Sequence, residues 1–414
     1  MRVTISPGRA HGCVTAPASK SYAHRLLIGA ALAAGTSTLT AVPDGEDVAA
    51  TLDCLAALGA VSRHTGAAFT VTGTSATPIS RHTGAPCADA DLPHFPCRES
   101  GSTFRFLLPL SLVLAGGGRF TGSARLLERG VGIYETLLAP RGVRFAHGDG
   151  GLTVAGRLTP GEYTLPGNVS SQFITGLLYA LPLLCGESIL RVLPPVESAR
   201  YIDMSRNTLR AFGVESEEIA PYTYRIPGGQ CYRPVTAAVE GDWSGGAFLY
   251  ALNALGGDVT VAGLAPDSRQ GDRACLAAFS RLRAAPATID IADCPDLGPV
   301  LFAVAAGLGG GTFTGTRRLA IKESDRAAVM AEELGRCGAD CTVEENRVIV
   351  RPGTLRPPAA PLDGHGDHRV VMALAVLLTR LGGRIDGAEA ITKSYPAFFD
   401  DLRALGIEVK EEDV

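Results

Sequence analysis

Four short runs in this 414-residue chain bring hydroxyls, cations and carboxylates together at spacings suited to anion binding and proton transfer. In Ala16-Pro17-Ala18-Ser19-Lys20-Ser21-Tyr22-Ala23-His24-Arg25, Ser21 and Arg25 lie four apart on one helix face beside Lys20. Two cations near the positive end of a helix repel unless an anion joins them, although a solvated helix start has the same composition. Ser170-Ser171-Gln172 opens an apolar helix with two hydroxyls and an amide, a match to a phosphoryl group and also an ordinary cap. In Ile321-Lys322-Glu323-Ser324-Asp325-Arg326, Lys322 and Arg326 share a face flanked by Glu323 and Asp325, which a surface helix could also carry. Asp367-His368-Arg369 runs straight into Val370-Val371-Met372-Ala373-Leu374. Charges at the mouth of a buried helix are costly unless paired or bound to ligand.

The elements that hold these runs repeat. Six times an apolar helical run ends in glycine and turns into a strand-like stretch: 21–35, 102–118, 170–186, 244–257, 297–311 and 368–383, followed by strands at 36–40, 119–121, 188–192, 258–261, 312–314 and 384–385. A second, more polar helical run follows each time, so a supersecondary unit recurs at roughly 50–80 residues. Gly116-Gly117-Gly118 and Gly309-Gly310-Gly311 stand after helices, where glycine caps; a phosphate loop would precede a helix. The polar runs sit at the opposite ends of the same helices: Lys20-Ser21, Ser100-Gly101-Ser102-Thr103, Ser170-Ser171-Gln172, Asp242, Asp296 and Asp367-His368-Arg369. If the repeats converge, six positive helix ends form a collective anion site.

Hydrophobic content of 46%, charged content of 19% and a net charge of −4 describe a globular chain with no basic field to recruit nucleic acid. No apolar run reaches the ~18 residues of a membrane span, and Met1–Ile5 reads as a strand, without the plan of a signal peptide. The ten cysteines, including Cys87, Cys337 and Cys341, are scattered and suit a reduced cytoplasm better than metal binding. His365 and His368 lack the partners a zinc site needs. The repeats divide the chain into two similar domains, residues 18–237 and residues 1–17 with 238–414. The opening strand is expected to pair within the second half, so that the chain crosses twice, near 15–18 and 235–241.

In order along the chain, Ser19-Lys20-Ser21 with Arg25, Ser100-Gly101-Ser102-Thr103-Phe104-Arg105, Ser170-Ser171-Gln172-Phe173, Tyr201-Ile202-Asp203, Lys322-Glu323-Ser324-Asp325-Arg326, Asp367-His368-Arg369 and Lys393-Ser394-Tyr395-Pro396 resemble the signature series of the 5-enolpyruvylshikimate-3-phosphate synthase family. The resemblance implies an α/β (α+β) fold of two domains, each of three βαβαββ-type units, with an interdomain cleft that closes on ligand. It implies transfer of the enolpyruvyl group of phosphoenolpyruvate to the 5-hydroxyl of shikimate 3-phosphate, releasing phosphate, on the route to chorismate and aromatic amino acids. A cytoplasmic monomer follows, with no metal, organic cofactor, nucleic acid or membrane partner. By the same resemblance, the 18–237 domain takes shikimate 3-phosphate and the other carries the phosphoenolpyruvate and acid/base side. Ser21 and Arg25 would hold the shikimate carboxylate, Ser170, Ser171 and Ser198 its phosphate, with Gln172 against the ring and Lys322 assisting. Phosphoenolpyruvate would meet Gly101, Arg125, Gln172, Arg326, Arg369 and Lys393, and Lys20 both substrates. Asp296 would be the base for the 5-hydroxyl and Glu323 the acid for the methylene carbon.

The chain departs from common relatives at Glu99-Ser100-Gly101-Ser102-Thr103, at Phe106, where proline is frequent, and at Arg318, where some relatives have an uncharged residue. Two other readings share the repeats: the enolpyruvyl transferase acting on UDP-N-acetylglucosamine, whose catalytic loop carries a cysteine near position 125, and a non-catalytic anion-binding scaffold. Ala124-Arg125-Leu126-Leu127 has no cysteine, and a scaffold has no use for Asp296 together with Glu323.

Overall fold

The computed structural model describes residues 1–65, 68–74 and 91–413, so Cys87 lies outside the described residues. The apolar passages form the helices Lys20–Leu32, Gly101–Leu114, Ser171–Ala180, Trp243–Ala254, Gly298–Leu308 and His368–Leu381. Each is apolar on most of its faces, as in the unbroken buried run Gly298–Ala306, and such a helix belongs inside a core. Each then returns through glycine into a strand: Thr36–Thr40, Gly117–Thr121, Ser188–Leu193, Asp258–Ala262, Gly311–Thr314 and Gly383–Asp386. The reversal leaves no room for a side chain. Gly117 has φ +141°, and a Cβ there would lie 2.1 Å from the Val154 carbonyl oxygen; Gly310, at φ +95°, would meet that of Val350 at 2.5 Å.

Among the described residues five four-stranded sheets share one plan. An edge strand runs parallel to the strand leaving the buried helix, which pairs antiparallel with a third strand that pairs antiparallel with a fourth, as in His94–Pro96, Gly117–Thr121, Gly151–Ala155 and Arg144–Gly148. The fourth repeat is reduced to Asp258–Ala262 parallel to His11–Thr15. After the helix Cys275–Ala284 the chain goes directly into Thr288–Asp290, which serves the next sheet, so no hairpin strands remain to complete it.

The chain divides into two compact units, Lys20–Val239 and Met1–Ser19 with Glu240–Val414. In Lys20–Val239, the helices Gly101–Leu114 and Ser171–Ala180 pack together, Glu46–Ala57 and Ala199–Ala211 cover Lys20–Leu32, and Thr236–Ala238 adds in parallel to Thr36–Thr40. In the other unit, Trp243–Ala254, Gly298–Leu308 and His368–Leu381 pack on one another around Val300, Leu301, Met372 and Leu374. The strand Arg2–Ile5 pairs antiparallel with both Gly383–Asp386 and Val409–Glu412, as its lack of a partner in the first repeat required.

Candidate active site

Lys20–Leu32 begins on the polar run, and Arg25 lies one turn inside it, only 3% exposed. Its Nε donates to Ser205 Oγ (2.9 Å), Nη1 to the Ser21 carbonyl (2.7 Å), and Nη2 to the Tyr201 carbonyl (3.3 Å) and Thr175 Oγ1 (3.4 Å). Every one of these acceptors is neutral. Lys20 Nζ is held by Asp47 Oδ2 at 2.8 Å. Behind that pair, His24 Nδ1 meets Thr51 Oγ1 at 2.7 Å, Thr51 meets Thr103 Oγ1 at 2.6 Å, and Thr103 donates to Ser100 Oγ at 2.7 Å. This hydroxyl chain links the first helix to the start of the Gly101 helix. Burial pushes the His24 imidazole down to about 3, so it is neutral.

Ser100 caps Gly101–Leu114 by accepting from the Thr103 amide, and Gly101 opens that helix bare of side chain. A Cβ on Gly101 would lie 3.1 Å from Arg105 Nη1, 3.1 Å from Arg129 Nη2 and 3.3 Å from Gln172 Oε1, so two guanidinium groups crowd this backbone. Gln172 links them to the loop: Oε1 accepts from Arg105 Nη1 (2.6 Å), and Nε2 donates to Ser102 Oγ (3.1 Å). Arg125 lies on the short helix Ala124–Arg129, and its guanidinium, 40% exposed, reaches Glu128 at 3.6 Å; Arg129, one turn later, comes to Gly101 beside Arg105. Ser170 caps Ser171–Ala180 by accepting from the Gln172 amide at 3.3 Å. Ser198, 2% exposed and left-handed at φ +58°, precedes Ala199–Ala211. Gly167 N to Leu193 O (2.9 Å) and Glu197 N to Gly167 O (3.0 Å) tie the lead-ins of these two serine-bearing helix starts together. A non-glycine residue in that region marks a conformation held by its surroundings.

In the other unit Asp296 is the hub of a charge cluster. It lies in a single 3-10 turn, Pro295–Leu297, just before Gly298–Leu308, so its carboxylate does not cap the helix as Asp242 and Asp367 cap theirs. Oδ1 accepts from Arg326 Nη1 (2.8 Å) and Lys322 Nζ (3.1 Å), and Oδ2 from Arg369 Nη2 (3.2 Å). Arg326, 1% exposed, also donates to Asp367 (2.8 and 3.2 Å) and to Glu323 Oε2 (2.7 Å). Asp367 caps its own helix through the Arg369 amide at 2.9 Å, which aims Arg369 at Asp296. Lys393 Nζ donates to the Gly366 carbonyl at 2.6 Å, on the loop entering the same helix. Burial opposes ionisation of Asp296, yet the fields of Arg369, Lys322 and Arg326 outweigh it and hold the carboxyl well below its usual range. Burial pushes the Lys322 ammonium down despite Asp296. Three cations on one carboxylate make a site charged for anions and a proton acceptor whose basicity depends on what else those cations hold.

The model of the EPSP synthase (3-phosphoshikimate 1-carboxyvinyltransferase) family matches residues 5–402. A 3-phosphoshikimate 1-carboxyvinyltransferase of Clostridium kluyveri is 35% identical over 433 residues, covering 100% of this chain and 99% of the relative; one of Clostridium beijerinckii is 35% identical, with 97% of each covered. The chain belongs to the EPSP synthase family. Its fold is that of EPSP synthase from Acinetobacter baumannii (TM-score 0.76, 24% identity, 99% of this chain and 100% of that one) and of the enolpyruvyl transferase NikO from Streptomyces tendae (TM-score 0.74, 19% identity, 100% and 99%). It is therefore an enolpyruvyl transferase by family.

Three residues of this EPSP synthase family member escaped the sequence reading. Arg129 carried the only available signal, a basic residue just before Gly130 at the end of a short helix. Asp47, which holds Lys20, looks in sequence like any acid in a first helical turn. Asp272 had no signal. It is 1% exposed, hydrogen-bonded by Ser244, and burial together with Asp296 pushes its carboxyl up to about 6. Arg318 is 5% exposed and donates to the Ala292 carbonyl. His365 serves structure, with Nε2 3.2 Å from Glu333. Among the described residues no group of three or more His, Cys, Asp or Glu is arranged to hold a metal, and no helix is long and apolar enough to cross a membrane.

Proposed function

We propose that this chain transfers the enolpyruvyl group of phosphoenolpyruvate to the 5-hydroxyl of shikimate 3-phosphate, releasing phosphate, as a cytoplasmic monomer. The observation that carries the reading is Asp296, an ionised carboxylate ringed by Lys322, Arg326 and Arg369. The acceptor carboxylate goes to Ser21 and Arg25, its phosphate to Ser170, Ser171 and Ser198, and its ring to Gln172, with Lys322 assisting. Phosphoenolpyruvate goes to Lys20, Gly101, Arg125, Gln172, Arg326, Arg369 and Lys393, with Arg129 close beside Gly101.

The chemistry then follows from proton bookkeeping. Asp296 takes the 5-hydroxyl proton while the oxygen bonds to carbon-2 of phosphoenolpyruvate, and carbon-3 gains a proton from Glu323, with Lys20 as the other candidate. The tetrahedral adduct loses a proton from carbon-3 as the carbon–oxygen bond to phosphate breaks, restoring the double bond. Substrate phosphate and carboxylate bound to Arg326 and Arg369 weaken their pull on Asp296, so its proton affinity rises when both substrates are present. General acid and base contributions of this kind are worth on the order of 10²–10⁴ each. The test is phosphate release from phosphoenolpyruvate with shikimate 3-phosphate or UDP-N-acetylglucosamine as acceptor. Release with the first supports the reading; release with the second alone replaces it with the amino-sugar transferase, and none with either leaves the scaffold.

A further inference from the structure

Arg25 is a buried cation whose contacts are all uncharged: among the described residues it makes no ion pair, and four of its five N–H donors go to two hydroxyls and two carbonyls. Hydroxyls and carbonyls satisfy its protons but supply no counter-charge. Aromatic faces do part of that work. The Phe106 ring lies 5.2 Å from the guanidinium carbon and the Tyr201 ring 5.8 Å. Phe106 is 1% exposed and belongs to the helix Gly101–Leu114, five residues beyond Gly101. On another side it meets the His24 imidazole edge-on at 6.5 Å and 85°, and His24 is pinned by Thr51. Phe106 thus reaches from one helix to a cation on another, with its own ring fixed.

We propose that Phe106 is a positioning residue for acceptor binding: its π face holds the Arg25 guanidinium so that the remaining Nη1 proton, beside Ser21, is presented to the carboxylate of the acceptor. This rests on the reading of Arg25 as the carboxylate-binding arginine. A ring at this position sets acceptor affinity through electrostatics as well as shape. A leucine fills similar space but has no negative face to offer.

The test uses the full chain with Phe106→Leu and with mono-, di- and trifluorophenylalanine incorporated at position 106, which drain the ring's π face while keeping its shape. Shikimate 3-phosphate affinity is read by calorimetry, phosphoenolpyruvate KM and kcat by phosphate release, and the Arg25 Nε–H resonance by NMR. Phe106→Leu is expected to weaken shikimate 3-phosphate about tenfold while phosphoenolpyruvate KM and kcat stay within about threefold, with a graded loss along the fluorinated series. The Arg25 Nε–H resonance moves as the ring current is lost. Affinity indifferent to fluorination, or a phosphoenolpyruvate KM that rises in step with that of the acceptor, overturns the proposal, because the ring then acts only as filling for the Gly101 helix. If the wild-type chain binds no shikimate 3-phosphate, the functional reading fails separately. An Arg25 resonance unmoved by Phe106→Leu then refutes the stacking on its own.

Discussion

Replacing Asp296 by asparagine separates its two jobs, base and counter-charge. The amide still accepts a hydrogen bond but cannot take a proton, so turnover is expected to fall by on the order of 10²–10⁴. Shikimate 3-phosphate affinity should hold within about tenfold, because an amide still bonds a hydroxyl. The same change removes a negative charge that Lys322, Arg326 and Arg369 share at 2.8 to 3.2 Å, in a cluster where Arg326 is 1% exposed. Breaking a buried ion pair from one side costs about 3–5 kcal/mol, and the 17% exposure of the Asp296 side chain puts this case near 3. For a unit of this size each kcal/mol is about 2–4 °C, so the midpoint should drop by about 6–12 °C. The excess positive charge also favours anions, so saturating phosphoenolpyruvate should restore more of the midpoint in the variant than it adds to the wild type. Stopped-time phosphate release, calorimetry and scanning fluorimetry with and without phosphoenolpyruvate read all three effects. Turnover within about tenfold of wild type would refute the base assignment, and an unchanged midpoint would refute the charge-balance reasoning.

Arg125→Ala and Arg129→Ala should each raise the phosphoenolpyruvate KM by at least about tenfold, and a KM within about threefold of wild type in steady-state kinetics would take that arginine out of the site. Asp272 has a carboxyl raised to about 6 from 3.8 by burial, then by Asp296, with Arg369 and the Ser244 hydroxyl opposing and Asp242 adding to it. Its protonated form is the one the fold favours, so its stabilising contribution is full below pH 3.8 and is lost as pH rises through about 6. Asp272→Asn should therefore stabilise the chain at pH 7.5 by up to about 3 kcal/mol, with the gain gone near pH 4 in parallel thermal melts. His24 runs the other way: its folded value is lowered to about 3 from 6.5, so its contribution is present above pH 6.5 and fades as pH falls. His24→Gln should flatten the decline in midpoint over that window, and an unchanged slope would show that the imidazole does not resist protonation.

The six buried helices, the glycines that end them and the strands that follow were legible in the sequence because each is a local device: an apolar run, a residue free to take positive φ, a β-rich stretch. The motifs at the helix starts were legible for the same reason, since Ser100, Ser170, Asp242 and Asp367 cap the next turn of their own chain. The charge cluster was only half legible. Asp296 finds its cations 26, 30 and 73 positions away, and nothing within one turn of it says that it leaves the helix cap to meet them. Tertiary packing alone decided that Arg129 comes to Gly101, because an arginine at the end of a short helix gives no sign in sequence of what that helix end will pack against. It also decided that the fourth repeat keeps only two strands, and that Phe106 rather than a carboxylate faces Arg25. Periodicity within a segment is written by its neighbours in sequence; which charge meets which is set by the order in which the repeats stack, and that order is a property of the folded chain.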